Sequence, residues 1–191
     1  MPWDLDPNHT QVSFSAKHLG VATVRGTFDR VTRDEIELDD PNDPTTARGA
    51  IAIDAASVNT GNEQRDAHLR GPDFFDVEKY PEITFAAKRV ERLGEDRYRV
   101  VGELTIKGVT REVSLEYEHG GVVADPYGNT KAGGTLTGTI DRSEWGLQWN
   151  VPLGNGGMLV SDKIKLEIDG QLAQTKEAAA VSAAAESSAT A

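Results

Sequence analysis

Arg65, Asp66 and His68 are the residues whose types and spacing come nearest to a catalytic group. Arg65 and His68 are three apart, so on a helix they share one face, where an imidazole beside a guanidinium could transfer protons in acid–base catalysis. The alternative is that this charged cluster ties a helix down through hydrogen bonds to strand-end carbonyls and loops. We favour the structural interpretation.

Histidine is the other residue type that could hold a metal or a proton. The four histidines are dispersed, with no pair four residues apart, and the chain has no cysteine: they are His9, His18, His68 and His119. We therefore predict neither a zinc site nor a haem ligand. His18 falls on an otherwise apolar strand face, where it either hydrogen bonds the head of a ligand or is a satisfied core histidine. These two alternatives stay open.

The sequence contains no other motif typical of catalysis or of cofactor binding. It has no nucleophile elbow, P-loop or dinucleotide fingerprint, and the GNGG run at 154–157 lacks a strand-to-helix context. The formal net charge of −11 repels phosphate backbones, so nucleic acid is not an expected partner. We expect a protein that is not an enzyme. The alternative is a small barrel enzyme that acts on a lipid-like substrate with acid–base chemistry from His18 or from Arg65 and His68.

The elements that must position these residues are predicted to be β-strands. Apolar and polar residues alternate with a period of two through most of the chain, most clearly over 97–107, which is the pattern of half-buried strands. About eight or nine such strands on short connections favour antiparallel pairing, because parallel pairs need long crossovers. The pattern alone does not separate a two-sheet sandwich from a closed barrel.

One short helix is predicted to interrupt the strands. Thr60 and Glu63 fit a capping box at its start, and Gly71 followed by Pro72 provides a left-handed cap and a stop. The run between them has few apolar residues, so we expect the helix to lie across the rim of the fold rather than in its core.

The two ends of the chain differ in composition from the middle. The start, MPWDLDPNHT, has neither a basic nor an apolar leader region, and no apolar run approaches the length of a bilayer span. We therefore expect a cytoplasmic protein without a membrane span. Residues 175–191 are rich in alanine and serine and are expected to be a disordered tail, which leaves one domain over residues 1–174.

Several ordered motifs resemble those of the YceI-like family. They are the opening WDLDPNHTQVSFSAKHLGVATVRGTF, the middle segment SVNTGNEQRDAHLRGPDFFDVEKYPEITF, the later GELTIKGVTREVSL, and IDRSEWGL near the end. The middle segment carries most of the resemblance, with its arginine-aspartate-x-histidine-leucine helix, paired phenylalanines and tyrosine-proline strand start. The resemblance covers about Trp3 to Leu172.

The resemblance implies an all-β fold: an antiparallel, lipocalin-like barrel of about eight strands with one short helix at its rim. It also implies that a polyisoprenoid, an isoprenoid quinone or a related lipid is bound inside the barrel, with no other cofactor required, and that a homodimer is one arrangement in the family. Many members of the family carry a signal peptide, from which this sequence departs.

The dry faces of the strands mix large rings with small residues, a pattern that we interpret as room for an apolar chain. Such a ligand gains about 0.8 kcal/mol for each methylene buried. Aromatic residues after the helix and around a late loop are candidates for the gate of the tunnel, although core packing is the alternative role for each. The predicted ligand-binding residues are Phe14, Ala16, His18, Phe28, Phe74, Phe75, Phe85, Gly102, Trp145 and Trp149.

Overall fold

A computed structural model of the chain describes residues 2–154 and 156–174. The tail predicted for 175–191 lies outside these residues. Within them, three short 3₁₀ helices cover Pro44–Thr46, Ala55–Ser57 and Arg142–Trp145. The strands are β1 (Pro2–Leu5), β2 (Gln11–His18), β3 (Ala22–Phe28), β4 (Val31–Glu37), β5 (Arg48–Asp54), β6 (Val58–Asn59), β7 (Glu82–Arg92), β8 (Arg97–Ile106), β9 (Val109–Ala124), β10 (Thr130–Asp141) and β11 (Val160–Gln174), and the helix is α1 (Glu63–Arg70).

The strands form a closed antiparallel barrel, as the family resemblance implies. Strand β1 closes it, because it pairs with β4 through Trp3 and Ile36 and with β11 through Leu5 and Leu172. The ring therefore runs through eight strands in the order β1, β4, β5, β7, β8, β9, β10 and β11. Closure leaves no exposed strand edge in this ring. The fold is therefore a closed barrel rather than a two-sheet sandwich, a choice that the alternation of residues left open.

The remaining strands extend the wall at the other end of the barrel. Strand β2 pairs with residues 160–169 of β11, with Ala16 opposite Ile164. Strand β3 pairs with β2, and the short strand β6 pairs with the end of β3. Helix α1 follows β6 directly and is held to this wall, because the guanidinium of Arg70 donates to the carbonyls of Ala56 and Val58 at 2.8 and 2.9 Å.

The cap of α1 differs from the predicted capping box. Asn62, not Thr60, caps the helix, and its Oδ1 accepts a hydrogen bond from the backbone N–H of Arg65 at 2.9 Å. Thr60 instead donates from its backbone and its hydroxyl to the buried carboxylate of Asp66. Gly71 has a φ of −75°, so it is extended rather than left-handed. The left-handed residue of this turn is Asp76 instead, with a φ of 48°, and the N–H groups of Phe74 and Asp76 both donate to the carbonyl of Gly71.

Two clusters of buried apolar side chains lie at the two ends of the barrel. The smaller one lies beneath β1 and contains Trp3, Leu38 and Ala132, and the indole N–H of Trp3 donates to the carbonyl of Leu38 at 3.1 Å. The larger one lies towards α1 and includes Ile53, Trp145 and many partly buried residues. The larger cluster does not fill its end completely.

Candidate functional site

An elongated cavity of about 580 Å³ lies within the barrel at the α1 end. This volume is within the range of small-molecule sites in proteins, roughly 300 to 1,000 Å³. Aliphatic and aromatic side chains from most strands of the barrel form its wall. The arrangement therefore presents an apolar surface to any molecule inside.

The strands show how far the cavity reaches along the barrel. On β10 and the turn after it, the lining residues run from Arg142 through Ile140 to Leu136, and on β11 they run from Val160 to Ile168. Each run follows at least six residues of extended chain, or about 20 Å along the strand. Below Leu136, the buried residues of the smaller cluster close the barrel. The cavity thus has a mouth beside Arg142 and a floor at Leu136.

Three phenylalanines line one wall, and the middle one contacts the other two. The ring of Phe28 lies 5.4 Å from that of Phe14 and 5.5 Å from that of Phe75, between centroids. Gly26 makes this packing possible, because a Cβ atom at that position would lie 2.5 Å from Cζ of Phe14 and 2.9 Å from the methyl group of Thr60. Because Gly26 has no side chain, the ring of Phe14 packs against the barrel wall at this position, and the absence of a side chain there leaves no gap.

Gly102 makes room for the ring of Phe85 in the same way as Gly26 does for the ring of Phe14. A Cβ atom there would lie 2.6 Å from the Phe85 ring and 2.5 Å from the backbone oxygen of Ala86. Phe85 lines the cavity and covers Gly102, which does not line it. The mixture of large and small residues in the sequence thus marks rings that lie flat on the barrel wall, and the open space remains in the middle.

A second aromatic group stands at the mouth. The imidazole of His68 lies 4.7 Å from the indole of Trp149 and 5.1 Å from the ring of Phe74, both edge to face. The rings of Phe74 and Trp149 are 5.5 Å apart. Edge-to-face contacts of this kind stabilise the pairs beyond the area that they bury. These three side chains form one side of the opening.

The buried guanidinium of Arg142 holds the loop that carries Trp149. Its Nε donates to the carbonyl of Ser161 at 3.1 Å, and its Nη1 donates to the carbonyls of Leu147 and Trp149 at 2.6 and 2.9 Å. Its Nη2 lies 3.1 Å from the carboxylate of Asp162. Sequence reasoning did not single out Arg142, although it lies within the quoted IDRSEWGL motif.

The polar residues of α1 make the hydrogen bonds expected of a structural cluster. Arg65 donates from Nε to the hydroxyl of Thr60 at 2.7 Å and from Nη2 to its carbonyl at 3.0 Å. Nε2 of His68 lies 2.9 Å from the carboxylate of Asp73. Arg65 and His68 both line the cavity mouth as well. The cluster therefore fixes the helix and contributes the polar part of the opening.

His18 reaches the same mouth from the end of β2 and lines the cavity. Its side chain has no hydrogen-bond partner among the described residues, so a bond to the head of a ligand stays a prediction. Within residues 2–154 and 156–174, no three His, Asp or Glu side chains are grouped so that they could hold a metal.

Eight of the ten predicted ligand-binding residues line the cavity: Phe14, Ala16, His18, Phe28, Phe74, Phe75, Phe85 and Trp149. Trp145 does not, and it is 1% exposed, with its indole N–H donating to the carbonyl of Leu104 at 3.0 Å. Trp145 is therefore part of the core. Aliphatic lining residues of the strands such as Leu115 and Leu136 were missed, because alternation does not distinguish a residue that lines a cavity from one that fills a core.

Comparison with known proteins gives the family. Residues 3–172 match the YceI-like domain. The chain belongs to the YceI-like family. The sequence resemblance is thereby confirmed over nearly the whole of the described chain.

Relatives and solved structures agree with a YceI-like barrel. A UPF0312 protein of Staphylococcus aureus (strain USA300) is 36% identical over 167 residues, which is 87% of this chain and 94% of that protein. The YceI protein of Campylobacter jejuni has a TM-score of 0.71 at 33% identity, covering 84% of this chain and 90% of that one. BcnA of Burkholderia cenocepacia has a TM-score of 0.71 at 25% identity, covering 90% and 100%.

A polyisoprenoid binding domain from Saccharophagus degradans shares the YceI-like fold at a lower identity of 15%, with a TM-score of 0.63, and covers 90% of this chain and 96% of that one. In the described part of the chain, no helix has the length and apolar character needed to span a bilayer.

Proposed function

We propose that this YceI-like protein binds a long-chain apolar molecule, a polyisoprenoid, an isoprenoid quinone or a related lipid, inside the barrel and so stores or transports it. The observation that carries the proposal is the apolar cavity of about 580 Å³, which has a polar mouth at one end and a closed floor at the other. An elongated hollow of this kind matches a chain with one polar end. The polyisoprenoid-binding domain with the same fold supports the choice of ligand class.

The binding energy is expected to come from the chain rather than from its head. Each buried methylene contributes about 0.8 kcal/mol, so about ten of them give roughly 8 kcal/mol before losses. Loss of rigid-body freedom and of chain torsions offsets much of this gain. Because the wall below the mouth is apolar, chain length should control affinity until the chain reaches the floor at Leu136.

We propose binding rather than catalysis. Most of the polar side chains that line the cavity lie at its mouth, and two of them, Arg65 and His68, make hydrogen bonds that hold the helix. The rival function, acid–base chemistry on a lipid-like substrate, would use His68 or His18, which also lie at the mouth. The rival predicts a product that disappears in His18→Ala or His68→Ala, whereas the carrier proposal predicts no product in any of the three proteins.

Organic extraction of the purified protein followed by mass spectrometry tests the proposal directly. We expect a long-chain molecule in stoichiometric amount, either as purified or after incubation with a mixture of isoprenoid quinones and polyprenols. Recovery of none under both conditions would refute the carrier function. Gln64→Ala is a suitable control variant, because it changes the mouth and leaves the apolar wall intact, so it should retain the extracted chain.

A further inference from the structure

Four large apolar side chains beside the cavity mouth are exposed to solvent. They belong to two segments, the turn between β2 and β3 and the loop before β11. Their exposed fractions are 44% for Leu19, 84% for Val21, 42% for Val151 and 52% for Met158. We call these four residues the lip. Exposed apolar side chains that lie together mark a surface that meets an apolar partner.

Hydrogen bonds join the two segments of the lip into one surface. The N–H of Leu19 donates to the carbonyl of Leu159 at 2.8 Å, and the N–H of Leu159 donates to the carbonyl of Val151 at 2.9 Å. Met158 pairs with Pro152 across an antiparallel bridge. Leu159 itself lines the cavity, so the lip is continuous with the inner wall.

The lip is also uncharged in an otherwise highly charged protein. Charged residues make up 27% of the chain and give a net charge of −11, yet no Asp, Glu, Lys or Arg occurs in residues 18–24 or 145–160. A bilayer of neutral phospholipids presents no net charge to such a surface, and insertion of the lip would desolvate no charged group of these two segments. An anionic bilayer would repel the rest of the protein.

We propose that the lip docks on a neutral phospholipid bilayer, so that the apolar chain passes between the cavity and the membrane without crossing water. The inference rests on the carrier function proposed above. Passage through water would expose every methylene of the chain at once, which makes release slow. Docking by the lip places the cavity mouth against the acyl region and removes that barrier.

The kinetics of transfer separate docking from release into water. The protein is loaded with a pyrene-labelled long-chain alcohol and mixed with vesicles of phosphatidylcholine that contain a quencher. If the lip docks, the transfer rate rises with vesicle concentration, whereas release into water gives a rate that does not depend on it. Adding phosphatidylglycerol to the vesicles should slow transfer at low salt, because the protein is acidic.

Charged substitutions in the lip, with a matched control, assign the effect to this surface. In Val21→Glu/Met158→Glu, we expect the transfer rate to fall about tenfold and to lose its dependence on vesicle concentration, because the carboxylates resist desolvation. Affinity for the alcohol in solution should stay unchanged. The control, Val123→Glu/Tyr127→Glu, puts the same two charges on residues that are 60% and 84% exposed near the opposite end of the barrel, and it should transfer like the wild-type protein.

Two results would overturn docking: a wild-type rate that is independent of vesicle concentration, or a lip variant that transfers as fast as the wild-type protein. A transfer rate that does not depend on vesicle concentration would also exclude the bilayer as the partner. The partner that binds the lip would then be a protein acceptor. If the alcohol does not bind at all, the carrier proposal fails, and flotation of the unloaded protein with phosphatidylcholine vesicles then decides the docking. Equal flotation of the wild-type protein and the lip variant would refute it.

Discussion

Replacing Leu136 by phenylalanine should lower the affinity of the protein for long chains, which reach the floor of the cavity, and leave the affinity for short chains unchanged. Leu136 is the deepest residue of β10 that lines the cavity, and it pairs with Ile168 and Tyr117 on the neighbouring strands. Phenylalanine adds three carbon atoms to the side chain. A chain that reaches the floor therefore loses the burial of about three methylene groups, which is roughly 2.4 kcal/mol or about a 60-fold fall in affinity.

The assay is competition against a bound fluorescent chain with prenols of increasing length, from farnesol through geranylgeraniol to solanesol. We expect the ratio of wild-type to variant affinity to be near one for prenols too short to reach the floor and to rise to its full value for those that reach it. Thr137→Phe is the matched control, because the next residue along β10 is exposed and does not line the cavity. Thermal unfolding of both variants shows whether the barrel is intact.

An equal loss for all prenols would mean that the larger ring disturbs the whole barrel rather than shortening the cavity. No loss for any of them would mean that bound chains do not reach Leu136. Either result would refute the assignment of the floor.

Three further predictions concern stability and titration. Trp145→Phe should lower the free energy of unfolding by about 1 to 3 kcal/mol in denaturant titrations, because the buried carbonyl of Leu104 loses its donor. The hydrogen bond from Arg30 lowers the pKa of Asp54 below its ordinary value of 3.8. The resulting stability is present above pH 3.8 and is lost as the pH falls through the lowered pKa, so the advantage of the wild-type protein over Arg30→Gln in thermal unfolding should shrink below that pH. Burial raises the pKa of Tyr117 to about 12, so its ultraviolet titration should be centred there.

Each of these predictions has its own control. Trp149→Phe should cost less than Trp145→Phe, because Trp149 is only half-buried, and an equal cost would contradict the role given to the indole hydrogen bond. A gap between the wild-type protein and Arg30→Gln that stays constant down to acid pH would show that Asp54 is not the linked group. Subtracting the titration of Tyr117→Phe isolates one tyrosine, and a midpoint near the ordinary value of 10.0 would mean that its ring is solvated in solution.

The alternation of apolar and polar residues determined which face of most strands is buried, because successive side chains of a strand point to opposite sides. In β2, this pattern alone placed Phe14, Ala16 and His18 inside, and all three line the cavity. The helix was also predicted from local sequence, between a cap at Thr60 and a stop at Gly71, and it lies within those limits although Asn62 caps it. The YceI-like motifs then indicated the family, which the comparison confirmed.

Closure of the barrel and the size of its cavity were decided only by tertiary structure. The four residues of β1 join the ring through pairs with β4 and β11, and such contacts between distant parts of the chain leave no local pattern. The same holds for Trp145 and Trp149, which lie four residues apart in one loop. One is enclosed by the core and the other stands at the mouth, because the buried guanidinium of Arg142 binds the carbonyls of Leu147 and Trp149 and so directs the chain between them. Alternation shows that a side chain points inward, whereas the packing of all inward side chains together decides whether a space is left between them.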